Sequence, residues 1–255
     1  MAKGAPAAAV SDQVPSLSIV IPAHNEARRI GPVLEQYATF FGRRAELLVV
    51  LNGCTDLTVD VVRQAQQRFP DTIVLIEVAE PIGKGGAIRR GFLQARGSSI
   101  GFVDADGSTA PAEFQRLLKL LDTADGVIGS RWMPGASVFN RTSRLRRVTS
   151  VGFVMVTKVL FHLPYHDTQC GAKWFRRAVI TAINQRLHMH DMTFDVELLL
   201  LARAGGYRIR EAPTVWTDQS SPVLVGTPWR LVRTSLAMLG SLLKLYARAR
   251  REHLV

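Results

Sequence analysis

Cysteine is scarce in this chain: Cys54 and Cys170 are the only two in 255 residues. They lie far apart with no CxxC or Cys/His spacing, which excludes a disulfide framework or a zinc site of the usual pattern and fits reduced thiols in a cytosolic setting. Long apolar runs are missing as well. Between Arg233 and Lys244 only ten uncharged residues occur, and crossing a bilayer takes about 20. The stretch 148–164 is longer, but Lys158 interrupts it. Residues 1–15 are Ala-rich and Pro-punctuated without the basic start and apolar centre of a secretion signal, so a loose, disordered tail is expected there. Acid is in short supply too, 21 Asp and Glu against 32 Lys and Arg, for a formal charge of +11. That balance calls for an anionic partner. Aromatic residues make up 7% and do not interleave with the basic clusters Arg141, Arg144, Arg146, Arg147 and Arg248, Arg250, Arg251. Each cluster instead borders an apolar stretch, a pattern that favours an anionic membrane surface over nucleic acid.

What is present is a 47% hydrophobic composition, enough for a sizeable core. From Leu17 onward, β-branched runs alternate with segments of helical period, the pattern of a mostly parallel sheet flanked by helices. Strands are predicted at Leu17–Ile21, Leu47–Leu51, Ile73–Val78, Ser99–Val103 and Val127–Gly129, and helices near Arg28–Phe40, Leu57–Phe69, Gly86–Arg96 and Ala112–Leu121. Ligands of such sheets bind beyond the carboxyl ends of the strands, where the groups Ala23-His24-Asn25-Glu26, Asn52 to Asp56 and Asp104-Ala105-Asp106 all fall. The second half predicts a basic then apolar stretch from Arg141 to Leu163, a loop at Pro164–Gly171, a helix at Phe194–Ala204 and a short strand pair around Tyr207–Trp216. A last amphipathic helix is expected from Pro228 to Arg250, with leucines on a broad apolar face that either lies on a membrane or docks on the core. The domain division that follows is a tail at 1–15, a catalytic domain at 16–225, and the amphipathic helix with its basic end at 226–255.

Two acidic side chains at a strand terminus, Asp104 and Asp106, are hard oxygen ligands suited to Mg²⁺ or Mn²⁺ held against a diphosphate. The run Gly83-Lys84-Gly85-Gly86 opens a helix, where backbone N–H groups either approach a phosphate or simply allow tight packing. Gly follows Lys84 where a P-loop needs Ser or Thr, and Ile88 stands where a dinucleotide fold needs its third glycine. Asp195 and Glu197 fall at a helix start, where the macrodipole alone would favour them. Arg146 and Arg147 read either as solvated helix charges or as a clamp on an acceptor phosphate.

The blocks Ile21 to Glu26, Asn52 to Asp56, Gly83 to Ala87, Asp104 to Asp106 and Gly129-Ser130-Arg131, taken in order, resemble family 2 glycosyltransferases of the GT-A fold. Asp167 to Phe175 and Phe194 to Glu197 look like the branch that loads dolichyl and polyprenyl phosphates with glucose or mannose. The resemblance covers roughly Leu17 to Trp216. It implies an α/β, Rossmann-like GT-A domain, and an inverting transferase that moves a hexose, from UDP-glucose first or GDP-mannose next, to a lipid phosphate. It places Pro22, Ala23, Asn25, Glu26, Asn52, Asp56, Lys84, Asp104, Ala105, Asp106 and Arg131 around the nucleotide sugar, with Asp104 and Asp106 on the metal. Asp106, Arg131 and Asp195 are the catalytic candidates, and Arg146, Arg147 and Lys173 the ligands of the acceptor phosphate. It further implies peripheral attachment to the cytoplasmic face of a membrane. Asn52 stands where many relatives carry an acid, and Ser108 where mannosyl relatives often have Gln. A GT-A enzyme with a soluble or polysaccharide acceptor, a nucleotidyltransferase and a non-catalytic basic binding module remain open at this point.

Overall fold

A computed structural model of the chain describes residues 15–140, 144–219 and 228–255, without the side chains of 144–150, 228–232 and 234. The expected tail at 1–15 therefore lies outside the described residues, apart from Pro15.

The predicted alternation is present. Strands β1 (Leu17–Ala23), β2 (Ala45–Asn52), β3 (Ile73–Val78), β4 (Ser99–Phe102) and β5 (Gly126–Ser130) are separated by helices α1 (Ile30–Phe41), α2 (Thr58–Arg68), α3 (Gly83–Gln94) and α4 (Pro111–Leu118). Then come β6 (Ser137–Phe139), α5 (Arg144–Phe161), β7 (Lys173–Arg176), α6 (Arg177–Ile183), α7 (Phe194–Ala204), β8 (Ile209–Pro213), β9 (Val215–Thr217) and α8 (Pro228–Arg251). The main sheet runs β3-β2-β1-β4-β7-β5-β8, parallel throughout except for β7, which is antiparallel to both neighbours. The expected strand pair near Tyr207–Trp216 resolves differently: β8 joins β5 in the main sheet and β9 pairs with β6 outside it.

Every residue of β2 is buried, as a central parallel strand covered on both faces requires. One apolar layer lies between the sheet and α1, α2 and α4, and includes Ile19, Leu34, Tyr37, Val62, Phe114 and Trp174. The other lies against α3, α5, α6, α7 and α8, and includes Val20, Phe92, Phe161, Phe194, Leu199 and Leu242.

The antiparallel insertion of β7 is made possible by a small residue opposite a large one. Gly101 faces Trp174 in register, and a Cβ at Gly101 would lie 2.6 Å from the indole ring. That indole stacks on Phe114 at 4.4 Å and donates its Nε1–H to the Phe114 carbonyl at 2.9 Å. The polar end of the ring is thus satisfied inside the core, as a buried Trp demands. Among the described residues no helix is long and apolar enough to cross a membrane.

Candidate functional site

The loops after β1, β2 and β4 converge, with α3, on a cavity of about 460 Å³. Of the expected nucleotide-sugar residues, Pro22, Ala23, Glu26, Asn52, Lys84, Asp104, Ala105 and Asp106 line it, and Arg131 does not. Pro81, Gly83, His24 and Met192 line it too. Asn25 and Asp56 are exposed beside it rather than on its wall. They serve the two loops: the Asn25 amide oxygen accepts from Thr55 N–H at 2.8 Å, and Asp56 accepts from Thr58 N–H at 3.0 Å and Ala27 N–H at 3.3 Å. Asn52 has a structural duty as well, since its amide oxygen accepts from Ile82 N–H at 2.7 Å and so fixes the entry to α3.

One ion pair lies on the cavity wall and two more, Lys173–Asp195 and Arg131–Asp167, lie off it. Lys84 Nζ stands 2.6 Å from Asp104 Oδ1. Lys173 Nζ stands 2.6 Å from Asp195 Oδ1, and Arg131 meets Asp167 through two nitrogens at 2.7 and 3.0 Å. Burial opposes ionisation of Asp104, but Lys84, Lys173 and Arg131 outweigh it and hold its pKa below the ordinary value. Burial likewise opposes charge on Lys84, and the fields of Asp104 and Asp195 override it, so the ammonium stays protonated well above neutral pH. Asp106 moves the other way: burial and the neighbouring Asp104 both raise its pKa. Glu26 is raised too, burial outweighing its ion pair with Arg29.

Asp104 and Asp106 are two hard carboxylate donors two residues apart just past β4, of the chemistry a divalent cation takes, with the Lys84 ammonium against Asp104; among the described residues no group of three or more His, Cys, Asp or Glu side chains is gathered to hold a metal ion. Asp104 is held from behind by Gly171, where a Cβ would sit 1.9 Å from its Oδ2. Ser108 N–H donates to Asp106 Oδ1 at 2.9 Å, fixing the second carboxylate through its own turn.

The geometry places the remaining candidates as follows. Lys173, expected on an acceptor phosphate, is instead fully enclosed, its ammonium held by Asp195 and by the Cys170 carbonyl at 2.6 Å. Asp195 is equally enclosed, and neither residue of the pair lines the cavity. The Gly85 and Gly86 N–H groups, left open between approach to a phosphate and tight packing, both point at the His190 carbonyl, at 2.8 and 3.4 Å. The backbone of Arg146 and Arg147 lies on α5, and their side chains lie outside the described residues. Glu197, left to the helix dipole from sequence, accepts from His188 N–H and Met189 N–H, both at 2.8 Å, and pairs with Arg248 at 2.6 Å. Glu211, with no role expected from sequence, accepts from His166 N–H and Asp167 N–H at 2.8 and 2.7 Å and so seats the carboxylate that holds Arg131.

Residues 18–183 match the family described as glycosyl transferase family 2. The chain is 35% identical over 216 residues to a dolichyl-phosphate beta-glucosyltransferase of Trichomonas vaginalis, covering 79% of this chain and 64% of that protein. It is 33% identical over 218 residues to the Drosophila melanogaster dolichyl-phosphate beta-glucosyltransferase, covering 79% and 67%. It thus spans about two thirds of the length of these relatives. Its fold is that of the Mycobacterium tuberculosis glucosyl-3-phosphoglycerate synthase crystallised with Mn²⁺, UDP and glucosyl-3-phosphoglycerate, at a TM-score of 0.67 and 18% identity, covering 95% of this chain and 86% of that one. The architecture is therefore GT-A.

Proposed function

Because the chain belongs to glycosyl transferase family 2, we propose that it moves glucose from UDP-glucose onto a polyprenyl or dolichyl phosphate with inversion at the anomeric carbon. GDP-mannose is the second candidate donor. The observation that carries this reading is the single cavity in which Glu26, Asn52, Lys84, Asp104 and Asp106 meet, in a chain whose curated relatives act on dolichyl phosphate.

In this reading the nucleoside lies along Pro22, Ala23, Glu26 and Asn52, and the diphosphate lies toward Lys84. Asp104 and Asp106 would hold Mg²⁺ or Mn²⁺, which supplies Lewis-acid neutralisation of the departing diphosphate. Lys84 then has two anions to serve, Asp104 and the donor phosphate, and its raised pKa keeps it cationic for both. Arg131 is fixed for the same work: Asp167 orients its guanidinium, and the Trp216 ring lies 5.3 Å from its centre. Preorganised charge of this kind, with positioning of the two substrates, provides most of the acceleration expected for such a transfer.

A lipid phosphate brings its own ionised oxygen near neutral pH, its second pKa lying near 6, so no strong general base is needed. Enclosure of Asp195 in its pair with Lys173 agrees with that economy. The acceptor side is assigned to the membrane surface. On α8, Leu236, Leu239 and Leu243 are 63%, 40% and 52% exposed, and on α5, which packs against α8, Met155 and Val159 are exposed too. Lys244, Arg250 and Arg251 flank the apolar strip, the arrangement of a helix lying in an anionic interface.

Product analysis tests the reaction type. Incubation with UDP-glucose, Mn²⁺ and polyprenyl phosphate is expected to release UDP in proportion to the lipid phosphate added. Release of pyrophosphate would identify a nucleotidyltransferase instead, and UDP release that ignores the lipid phosphate but follows a soluble acceptor would retain the family and reject the carrier.

A further inference from the structure

Helix α8 is remote from the cavity, yet its inner edge is wired to the cavity wall. Its residues Leu242, Leu245 and Ala249 are buried in the core, and of Ser241 and Arg248, seven positions apart and so on one face, Ser241 reaches Asp191 in the loop at 188–193 while Arg248 bonds Glu197 of α7, the Arg186 carbonyl and Glu252. Arg248 Nη1 donates to Glu197 Oε1 at 2.6 Å. The other oxygen of Glu197 accepts from His188 N–H and Met189 N–H, both at 2.8 Å. Ser241 Oγ donates to Asp191 Oδ2, and Asp191 Oδ1 accepts from Thr193 N–H at 2.8 Å. Both ends of the loop are thereby tied to α8.

The opposite side of the same loop grips the glycine-rich turn. The His190 carbonyl accepts from Gly85 N–H at 2.8 Å. A Cβ at Gly83 would lie 2.2 Å from that carbonyl oxygen, and one at Gly85 would lie 2.6 Å from the Met189 carbonyl and 2.5 Å from Phe194 Cβ. The glycines of this turn are therefore needed for close approach of the loop. Between them stands Lys84, whose ammonium is 2.6 Å from Asp104, and at the loop's tip Met192 lines the cavity directly. The series from Arg248 to Lys84 thus runs through hydrogen bonds to Glu197, to the 188–189 backbone and from Gly85 to the His190 carbonyl, joined by the chain itself.

We infer that Arg248 and Ser241 are positioning residues for the donor pocket: through Glu197 and Asp191 they hold the 188–193 loop against the Gly83–Gly86 turn and so set the reach of Lys84 and the wall at Met192. Glu197 serves as the buried junction of this brace. A carboxylate so deeply enclosed depends on Arg248 for its charge partner, and loss of that partner leaves two backbone N–H groups to hold it. The inference rests on the donor reading for its binding measurement only.

Hydrogen–deuterium exchange on the full chain without ligand tests the brace. In Arg248→Ala the amides of 83–88 are expected to exchange about tenfold faster while those of β1, β2 and β4 keep wild-type rates, because opening is local. Arg248→Lys, able to restore one bond to Glu197, recovers part of the protection. Ser241→Ala removes one hydroxyl from a half-buried position and carries the same test with little risk to folding. With UDP and Mn²⁺ as probes, the Kd for UDP is expected to rise about tenfold in Arg248→Ala, and that rise to vanish in a Lys84→Met background, where the brace has no ammonium left to position. Unchanged exchange at 83–88, acceleration spread evenly over the sheet, or faster exchange with unchanged UDP affinity would each overturn the inference. A wild-type chain that binds no UDP would defeat the donor reading, while the exchange experiment would still decide the brace.

Discussion

Replacing Gly171 by alanine isolates the seat of the proposed metal ligand. The new Cβ would lie 1.9 Å from Asp104 Oδ2, 2.3 Å from its Cγ and 2.7 Å from its Oδ1. For Oδ2 to regain the 3.4 Å of ordinary contact, the carboxylate must retreat by about 1.5 Å. That movement breaks the 2.6 Å bond to Lys84 and far exceeds the ~0.2 Å tolerance of a metal–oxygen distance. A displacement of about 1 Å near the chemistry costs on the order of a hundredfold, so kcat/KM is expected to fall by about that factor or more. Overpacking itself costs about 1–3 kcal/mol, which at this chain length lowers Tm by about 2–12 °C. The assay is nucleotide release from the donor at saturating Mn²⁺, with Tm followed by calorimetry and Mn²⁺ binding by titration. A variant with wild-type kcat/KM and wild-type Mn²⁺ affinity would refute the reasoning, since it would mean that Asp104 does not need the place the structure gives it.

Three further outcomes follow from the same geometry. Asp167→Asn leaves Arg131 without its buried counter-ion, at a cost of about 3–5 kcal/mol at neutral pH, read from chemical denaturation. The pKa of Asp167 is held below the ordinary value by Arg131 against the effect of burial, so the stability it contributes is complete above the unfolded pKa of about 3.9 and is lost as pH falls through the lower folded value; the gap between wild type and variant is expected to narrow below about pH 4 and stay constant above it. Replacing Leu236, Leu239 and Leu243 together by Gln removes about 1 kcal/mol of burial per half-exposed leucine and lowers partition onto anionic vesicles about a hundredfold, measured by co-sedimentation, with Tm nearly unchanged; equal partition of the two proteins would remove α8 as the membrane contact. Asp106→Asn is expected to abolish chelator-sensitive turnover while preserving the fold, checked by circular dichroism and nucleotide release.

The parallel half of the sheet was legible because its signals are local. β1 to β4 appear within a few residues of the β-branched runs that predict them, and the carboxyl ends of β1, β2 and β4 with their following loops deliver Glu26, Asn52 and Asp104 to one cavity as a parallel sheet requires. β7 escaped notice because four residues beginning with a lysine give no readable alternation, and its place depends on Gly101 yielding room to Trp174 across the sheet. Lys173 was placed at a phosphate by the family resemblance alone; its enclosure was not legible because lysine is almost never fully buried unless paired and its partner Asp195 lies 22 positions along the chain. The contribution of the 188–193 loop, including Met192, was hidden for a similar reason. Polar residues without period carry no sign that their carbonyls close on a glycine turn about a hundred positions earlier.

The most direct test of the central assignment is transfer of labelled glucose from UDP-glucose into organic-extractable lipid, with polyprenyl phosphate and Mn²⁺ or Mg²⁺ present and GDP-mannose run in parallel. The account predicts label in the lipid from UDP-glucose, lost on adding a chelator and absent with Asp106→Asn. Absence of lipid label from both donors, in a protein that still binds UDP, would contradict it.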